Sequence, residues 1–283
     1  MNIPVWTYVV AATVFLMVLF LAWNHLRQRR LIRQLKDLAH SLEDSKQQII
    51  KEQERNRRLK QEMTNNIAHE LKTPVSSIRG YLEILLGDKP VEETKKQFFL
   101  ERCYSQTLRL SDLINDVSLI NKLEESSDLF PKEHVSLRGI AEEAVLELEE
   151  AFRSHSIKVD NKLQKSMKVY GNHALIYSIF RNLFENAILY AGECIDVVLE
   201  CYKESDEMYY IHFYDTGAGV EESYLPVLFD RFLRIDEGRS RATGGTGLGL
   251  SIVKHAVLFH GGDIYVRNRE EGGLEFFFSL KKK

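Results

Sequence analysis

Four groups of residues in this chain have types and spacings that chemistry could use. Gly244-Gly245-Thr246-Gly247-Leu248-Gly249-Leu250 leads into a helical pattern. Glycines without a Cβ leave backbone N–H groups facing an anion there, and the helix N-terminus adds its dipole. The spacing is not that of a dinucleotide loop, and no Lys-Ser or Lys-Thr follows as in a P-loop. Asn182 and Asn186 stand four apart, so they share one helix face, while Phe180, Leu183, Phe184, Ala187 and Ile188 take the others. Two such amides can hold a hydrated Mg2+, which takes oxygen ligands and keeps several waters. Asp215-Thr216-Gly217-Ala218-Gly219 ends an alternating strand. A carboxylate at that point can accept a hydrogen bond from an exocyclic amine, and Gly217 and Gly219 let backbone approach a flat ring. The fourth group is His69, inside Asn66-Ile67-Ala68-His69-Glu70-Leu71-Lys72-Thr73-Pro74. Singly, these groups also fit a helix cap, an Asp-Gly turn or a surface imidazole.

The elements that must position them can be read from periodicity. Ile67, Leu71, Pro74, Ile78, Tyr81 and Leu85 alternate four and three residues, the apolar seam of a helical bundle. With Ile67 at d and Leu71 at a, His69 falls at f, Glu70 at g and Thr73 at c, so the imidazole projects into water beside a carboxylate and a hydroxyl. Gly87-Asp88-Lys89-Pro90 breaks this helix, and a second runs from about Val91 to Lys122 with the seam Phe99, Cys103, Gln106, Leu110, Leu113, Val117, Ile120. One hairpin cannot cover both stripes, which predicts a homodimeric four-helix bundle. The alternative is that the hairpin packs on the C-terminal domain of its own chain. From about Pro131 helices are expected at 138–154, 173–190 and 250–259, with strands near 157–163, 195–202, 208–214, 263–267 and 275–280. That order predicts an α+β class, a C-terminal α/β sandwich with helices on one face of a mixed sheet. Phe229-Asp230-Arg231-Phe232-Leu233-Arg234, with Arg239 and Arg241, reads as a mobile basic lid over phosphates.

The N-terminus differs in kind. About 18 residues from Trp6 to Trp23 carry no charge, roughly 27 Å as helix, enough to cross a bilayer core. Trp6, Tyr8 and Trp23 sit near its ends, and Arg27, Arg29, Arg30 and Arg33 follow it, which predicts a single-pass anchor with the remainder in the cytoplasm. A short extracytoplasmic tail at 1–5 leaves no room for an external sensing domain. Leu31, Leu35, Leu38, Leu42, Ser45, Ile49, Glu52, Asn56, Leu59 and Met63 continue as a coiled-coil stalk over 24–63. The join through Leu59, Met63, Ile67 and Leu71 takes successive steps of four, a stutter just before His69. A net charge of −3 gives no sign of direct nucleic-acid binding, and Cys103, Cys194 and Cys201 lack metal-type spacing and read as reduced thiols.

In this order, the exposed histidine, the paired asparagines, the Asp-x-Gly-x-Gly turn and the glycine run resemble the histidine kinases of two-component signalling. His260-Gly261-Gly262 adds to the match, and the likeness covers roughly residues 60 to 280. It implies a dimerisation and phosphoacceptor domain over 64–125 and a Bergerat-type ATP-binding domain over 131–283. It also implies autophosphorylation by ATP with Mg2+, and transfer to an aspartate in the receiver domain of a response regulator. His69 would be the phosphoacceptor, Glu70 would take the Nδ1 proton, and Thr73 would orient water for dephosphorylating the regulator. Asn186 would coordinate Mg2+, with Asn182 supporting its water shell. Tyr190, Asp215, Gly217, Gly219, Gly245, Thr246, Gly247, Leu248 and Gly249 would line the nucleotide, with Arg234 and Arg239 reaching phosphate from the lid. The implied location is the inner, cytoplasmic membrane. One departure stands out: many relatives carry a lysine three residues after Asn186, and this chain has Leu189. Two other readings remain open at this point, a protein acting chiefly as a phosphatase on the regulator and a non-catalytic dimeric scaffold.

Overall fold

The computed structural model describes residues 5–87, 90–125, 130–235 and 245–282, and the chain divides into two compact units, 1–65 and 66–283. The described residues of the first unit are helical and belong to the long helix α1, Val5–Leu86. Among the described residues no helix is long and apolar enough to cross a membrane. The side chains of the expected span's first half, residues 6–12, lie outside the described residues, as do those of Leu31, Leu35, Leu38, Asn56 and Leu59 of the expected stalk. From Val14 to Leu21 and at Trp23 the apolar side chains are exposed.

The second unit begins with the hairpin of α1 and α2, Glu93–Glu125. Both predicted seams are the less exposed faces of their helices. Ile67, Leu71, Ile78, Tyr81 and Leu85 are half-buried and Pro74 is buried, whereas His69 and Thr73 are exposed. On α2, Leu113 and Ile120 are buried and Phe99, Cys103, Gln106, Leu110 and Val117 are half-buried. Tyr81 stacks on Phe99 at 5.5 Å, an arrangement that adds about 0.5–1.5 kcal/mol to the area it covers.

The rest of the unit is β1 (Glu133–Ser136), α3 (Leu137–Glu147), α4 (Glu149–Ser154), β2 (Lys158–Asn161), β3 (Lys168–Gly171) and α5 (His173–Asn186). A single π turn (Ala187–Ala191) follows, then β4 (Asp196–Glu204), β5 (Met208–Asp215), a 3-10 turn (Glu222–Val227), α6 (Gly249–Phe259), β6 (Ile264–Asn268) and β7 (Leu274–Lys281). Five strands form one sheet in the order β2-β4-β5-β7-β6, and β1 and β3 form a separate antiparallel pair. Only β2 with β4 is parallel; the other three pairings are antiparallel. The sheet is therefore mixed, as expected.

One face of the sheet meets the helices. Ile211 and Phe213 of β5 join Phe180 and Phe184 of α5, Ala141 and Ala144 of α3, and Val253 and Val257 of α6 in a single core. Phe184 sits at its centre, edge-on to Phe152 at 5.7 Å and to Phe213 at 5.4 Å. The other face is tiled by its own rings: His212 and Tyr265 lie parallel to Phe277 at 4.4 and 4.8 Å, which is why β7 is buried on both sides.

Three local expectations change. The helix expected over 138–154 is two helices meeting at Leu148, whose φ and ψ of −95° and 9° leave the helical region. The helix expected to reach Tyr190 turns π-helical after Asn186. The four-residue strands β1 and β3 were not anticipated. Ser136 ends β1 and Asn172 follows β3, and both cap the next helices, their side-chain oxygens accepting from the N–H groups of Gly139 and Leu175.

Candidate nucleotide site

A cavity of about 290 Å³ opens between α5, the start of α6 and the segment after β5. Asn182, Asn186, Tyr190, Gly219, Arg234, Gly245, Thr246, Gly247 and Gly249 line it, together with Glu185, Leu189, Leu233 and Leu274. Most of the residues singled out from sequence thus converge on one space, although they come from separate stretches of chain. Some do not reach the wall: Leu248 is fully buried, and Asp215 is 2% exposed. Gly217 is also absent from the wall, and Arg239 lies outside the described residues.

The glycine run owes its shape to close approaches. Gly247 has φ +72°, and a Cβ there would fall 2.9 Å from the Cα of Phe232, whose N–H donates to the Gly247 carbonyl at 2.8 Å. A Cβ on Gly249 would stand 2.6 Å from Asn182 Oδ1. Asn182 donates its Nδ2 to the Ser178 carbonyl at 2.8 Å, which turns the amide oxygen toward α6 and the cavity. With Asn186 and Glu185 beside it, the wall offers oxygen donors of the kind Mg2+ accepts, so the residues fit that ion.

Asp215 lies behind this wall. Its Oδ1 accepts from the N–H of Gly217 at 2.9 Å and of Leu274 at 3.4 Å. Burial raises its pKa, and those two bonds and Arg269 counter the rise. Burial likewise raises Glu185, with Arg181 opposing. Leu189 lies on the wall and brings no charge to it, and the only wall arginine among the described residues is Arg234.

The hairpin reaches this site. Leu119 and Leu123 of α2 pack against the core of the α/β domain. Thr246 donates its hydroxyl to Asp116 Oδ2 at 2.9 Å and accepts from the Leu248 N–H at 3.2 Å. Glu70 Oε2 accepts from Arg234 at 2.9 Å and faces Arg109 at 3.5 Å. The alternative in which the hairpin packs on its own C-terminal domain is therefore realised along part of α2. Thr73, meanwhile, bonds back to the His69 carbonyl at 3.4 Å.

An exposed histidine one residue from a carboxylate that pairs with an arginine of the cavity wall is a distinctive combination. Residues 59–126 match the family model of the His Kinase A (phospho-acceptor) domain, and residues 171–283 match that of the histidine kinase-, DNA gyrase B- and HSP90-like ATPases. The chain belongs to the sensor histidine kinases of two-component signalling. Over 215 residues this histidine kinase is 33% identical to the sensor-like histidine kinase SenX3 of Mycolicibacterium smegmatis, covering 76% of this chain and 56% of that one. Over 235 residues it is 30% identical to the sensor histidine kinase WalK of Bacillus subtilis, covering 83% of this chain and 38% of that one. The chain spans about half the length of the curated relatives it matches. Among solved structures, histidine kinase ThkA in complex with response regulator protein TrrA matches with a TM-score of 0.61 at 23% identity, over 78% of this chain and 61% of that one. The Acinetobacter baumannii histidine kinase AdeS matches with a TM-score of 0.58 at 20% identity, over 76% of this chain and 98% of that one. These two likenesses concern the fold.

Proposed function

We propose that this histidine kinase is membrane-anchored, autophosphorylates on His69 from ATP and passes the phosphoryl group to an aspartate of a response regulator. The observation that carries the reading is the span from histidine to cavity: exposed His69, then Glu70, then the Glu70–Arg234 ion pair at 2.9 Å on the cavity wall. Nε2 of His69 attacks the γ-phosphorus, the bond to the β,γ-bridging oxygen breaks, ADP leaves, and the Nδ1 proton passes to Glu70. Mg2+, held by Asn186 with Asn182 supporting its waters, would neutralise charge on the phosphates. Tyr190, Gly219, Gly245, Thr246, Gly247 and Gly249 line the nucleotide in this reading, Arg234 and Arg239 contact phosphate, and Asp215 reads the adenine amine from behind the wall, with Gly217 and Leu248 supporting it from outside the cavity. Incubating the full chain with γ-labelled ATP and Mg2+ tests it. Acid-labile label should appear on wild type and vanish in His69→Gln. An unlabelled wild type rejects the kinase, and label surviving the substitution rejects His69.

A second copy of the chain is the proposed cover for the hairpin. An apolar groove of Ile67, Leu71, Leu113, Ile114 and Val117 lies open on it, and Val75, Ile84, Phe98, Leu100 and Leu108 are exposed along its length. The charge-free run at 6–23 with arginines behind it supports an inner-membrane anchor with the catalytic part in the cytoplasm. The solved ThkA–TrrA complex, on the same fold, supports a receiver-domain partner. Phosphatase activity on that partner would use Thr73, so Thr73→Ala should abolish dephosphorylation of a phosphorylated regulator while leaving label on His69.

A further inference from the structure

The carboxylate of Glu70 sits between two guanidiniums that belong to different parts of the molecule. Arg234 comes from the segment lining the nucleotide cavity and Arg109 from α2 of the hairpin, and both approach the same oxygen, Oε2, at 2.9 and 3.5 Å. All three side chains are largely withdrawn from water, 8% exposed for Arg234, 14% for Arg109 and 19% for Glu70. Arg234 also donates to the Gly245 carbonyl, which fixes its head at the glycine run. Two guanidiniums converging on one tetrahedral or trigonal oxyanion form the geometry that binds phosphate. The same neighbourhood holds Tyr190, whose pKa burial raises while Arg234 and Arg109 counter the rise. Leu189 on that wall supplies no charge.

We propose that Arg109 and Arg234 form a two-guanidinium site for the phosphoryl group in transit from ATP to His69, a site that Glu70 holds in this structure. Arg109 is then a further catalytic residue, contributed by the hairpin, and it supplies the cation that Leu189 does not. The γ-phosphoryl, carrying more negative charge than a carboxylate, takes over both arginines. That exchange frees the Glu70 oxygens for the proton leaving Nδ1 of His69 as the P–Nε2 bond forms and the electron pair of the broken P–O bond departs on ADP. Nucleotide binding and release of the base become one event. The inference rests on the kinase reading above for the identity of the phosphoryl donor and acceptor.

The test compares affinities of the full chain for ADP and for an imido-bridged ATP analogue, alongside the initial rate of His69 labelling. Because only the γ-phosphoryl meets the clamp, Arg109→Ala should cut the preference for the analogue over ADP by about tenfold, the scale of one charge-assisted hydrogen bond. Labelling at saturating ATP should slow by a similar factor, and Arg109→Lys should recover part of both. Glu70→Gln, which removes the competing anion, should tighten the analogue and leave ADP unchanged. An unchanged analogue-to-ADP ratio in Arg109→Ala overturns the proposal, and so does an equal loss of both ligands, the mark of a merely structural arginine. Failure of the kinase reading is separable. There the wild type takes no label, yet the affinity ratio still responds to Arg109, and the clamp stands without the transfer.

Discussion

Acidification should destabilise the nucleotide-binding domain through His260, a residue the proposed chemistry does not use. His260 is 4% exposed at the end of α6. Its Nε2 accepts from the Asn172 N–H at 3.0 Å, so Nδ1 carries the proton and donates to the Ala256 carbonyl at 2.7 Å. Asn172 in turn caps α5 and donates its side-chain amide to the Pro131 carbonyl at 2.9 Å, so one neutral imidazole ties α6 to the helix that carries Asn182 and Asn186. Burial lowers its pKa below the usual 6.5, and Lys132 adds to the fall, while the Ala256 bond resists it. A folded pKa below the unfolded one means that the unfolded chain binds more protons between the two values. The contribution is therefore complete above about 6.5 and is lost as pH falls toward the folded value, with a slope of at most about 1.4 kcal/mol per pH unit from this group. Asp116, Asp215 and Glu185, all raised mainly by burial, act in the opposite sense, since their neutral forms are favoured when folded. Their opposition is removed by difference. Urea unfolding of wild type and His260→Gln, repeated from about pH 7.5 to about 5.5, should show a gap of about 1–3 kcal/mol at the upper end that narrows as the pH falls. A gap independent of pH refutes the reasoning.

Removing the central ring in Phe184→Ala should cost about 3–5 kcal/mol in denaturant unfolding, since it leaves Phe152 and Phe213 facing a cavity; a loss under about 1 kcal/mol would mean that the core collapses around it. Gly249→Ala puts a methyl 2.6 Å from Asn182 Oδ1 in a helical position where alanine is otherwise favoured. It should weaken Mg2+-dependent nucleotide binding in calorimetry without lowering the unfolding midpoint, and a parallel loss of both would point to misfolding instead. Leu189→Lys, which adds a cation to the cavity wall, should tighten ATP by about 1–3 kcal/mol, and no change in titration would show that Arg234 already saturates the phosphates.

What the sequence made legible was what repeats at a fixed period. The seams through Ile67, Leu71, Pro74 and Ile78, and through Leu113, Val117 and Ile120, are the less exposed faces, and His69 projects away from them, because side-chain direction along a helix follows from spacing alone. The convergence of Asn182, Asn186 and the glycines on one cavity was legible only through resemblance, since nothing local joins α5 to α6. Arg109 and Asp116 were not legible at all. Each is one polar residue among many on α2, and its role comes from the side of the hairpin that meets the α/β domain, a tertiary choice that leaves no period in the chain. β1 and β3 escaped for a smaller reason. Four residues hold too few alternations to stand out, and their partner strands lie more than thirty residues apart.

The tiling of β7 on both faces sets an order of events for making this protein. β5 is an edge until residues 274–281 arrive to pair with it, and β6 has no other strand partner. During synthesis, Ile211 and Phe213 on one side and His212 on the other therefore wait beside an open row of backbone donors and acceptors. Such an edge recruits foreign strands. Nearly the whole C-terminal domain must be translated before its sheet can close, so pausing or truncation shortly before Leu274 should yield aggregation, whereas the helical hairpin upstream has no such debt.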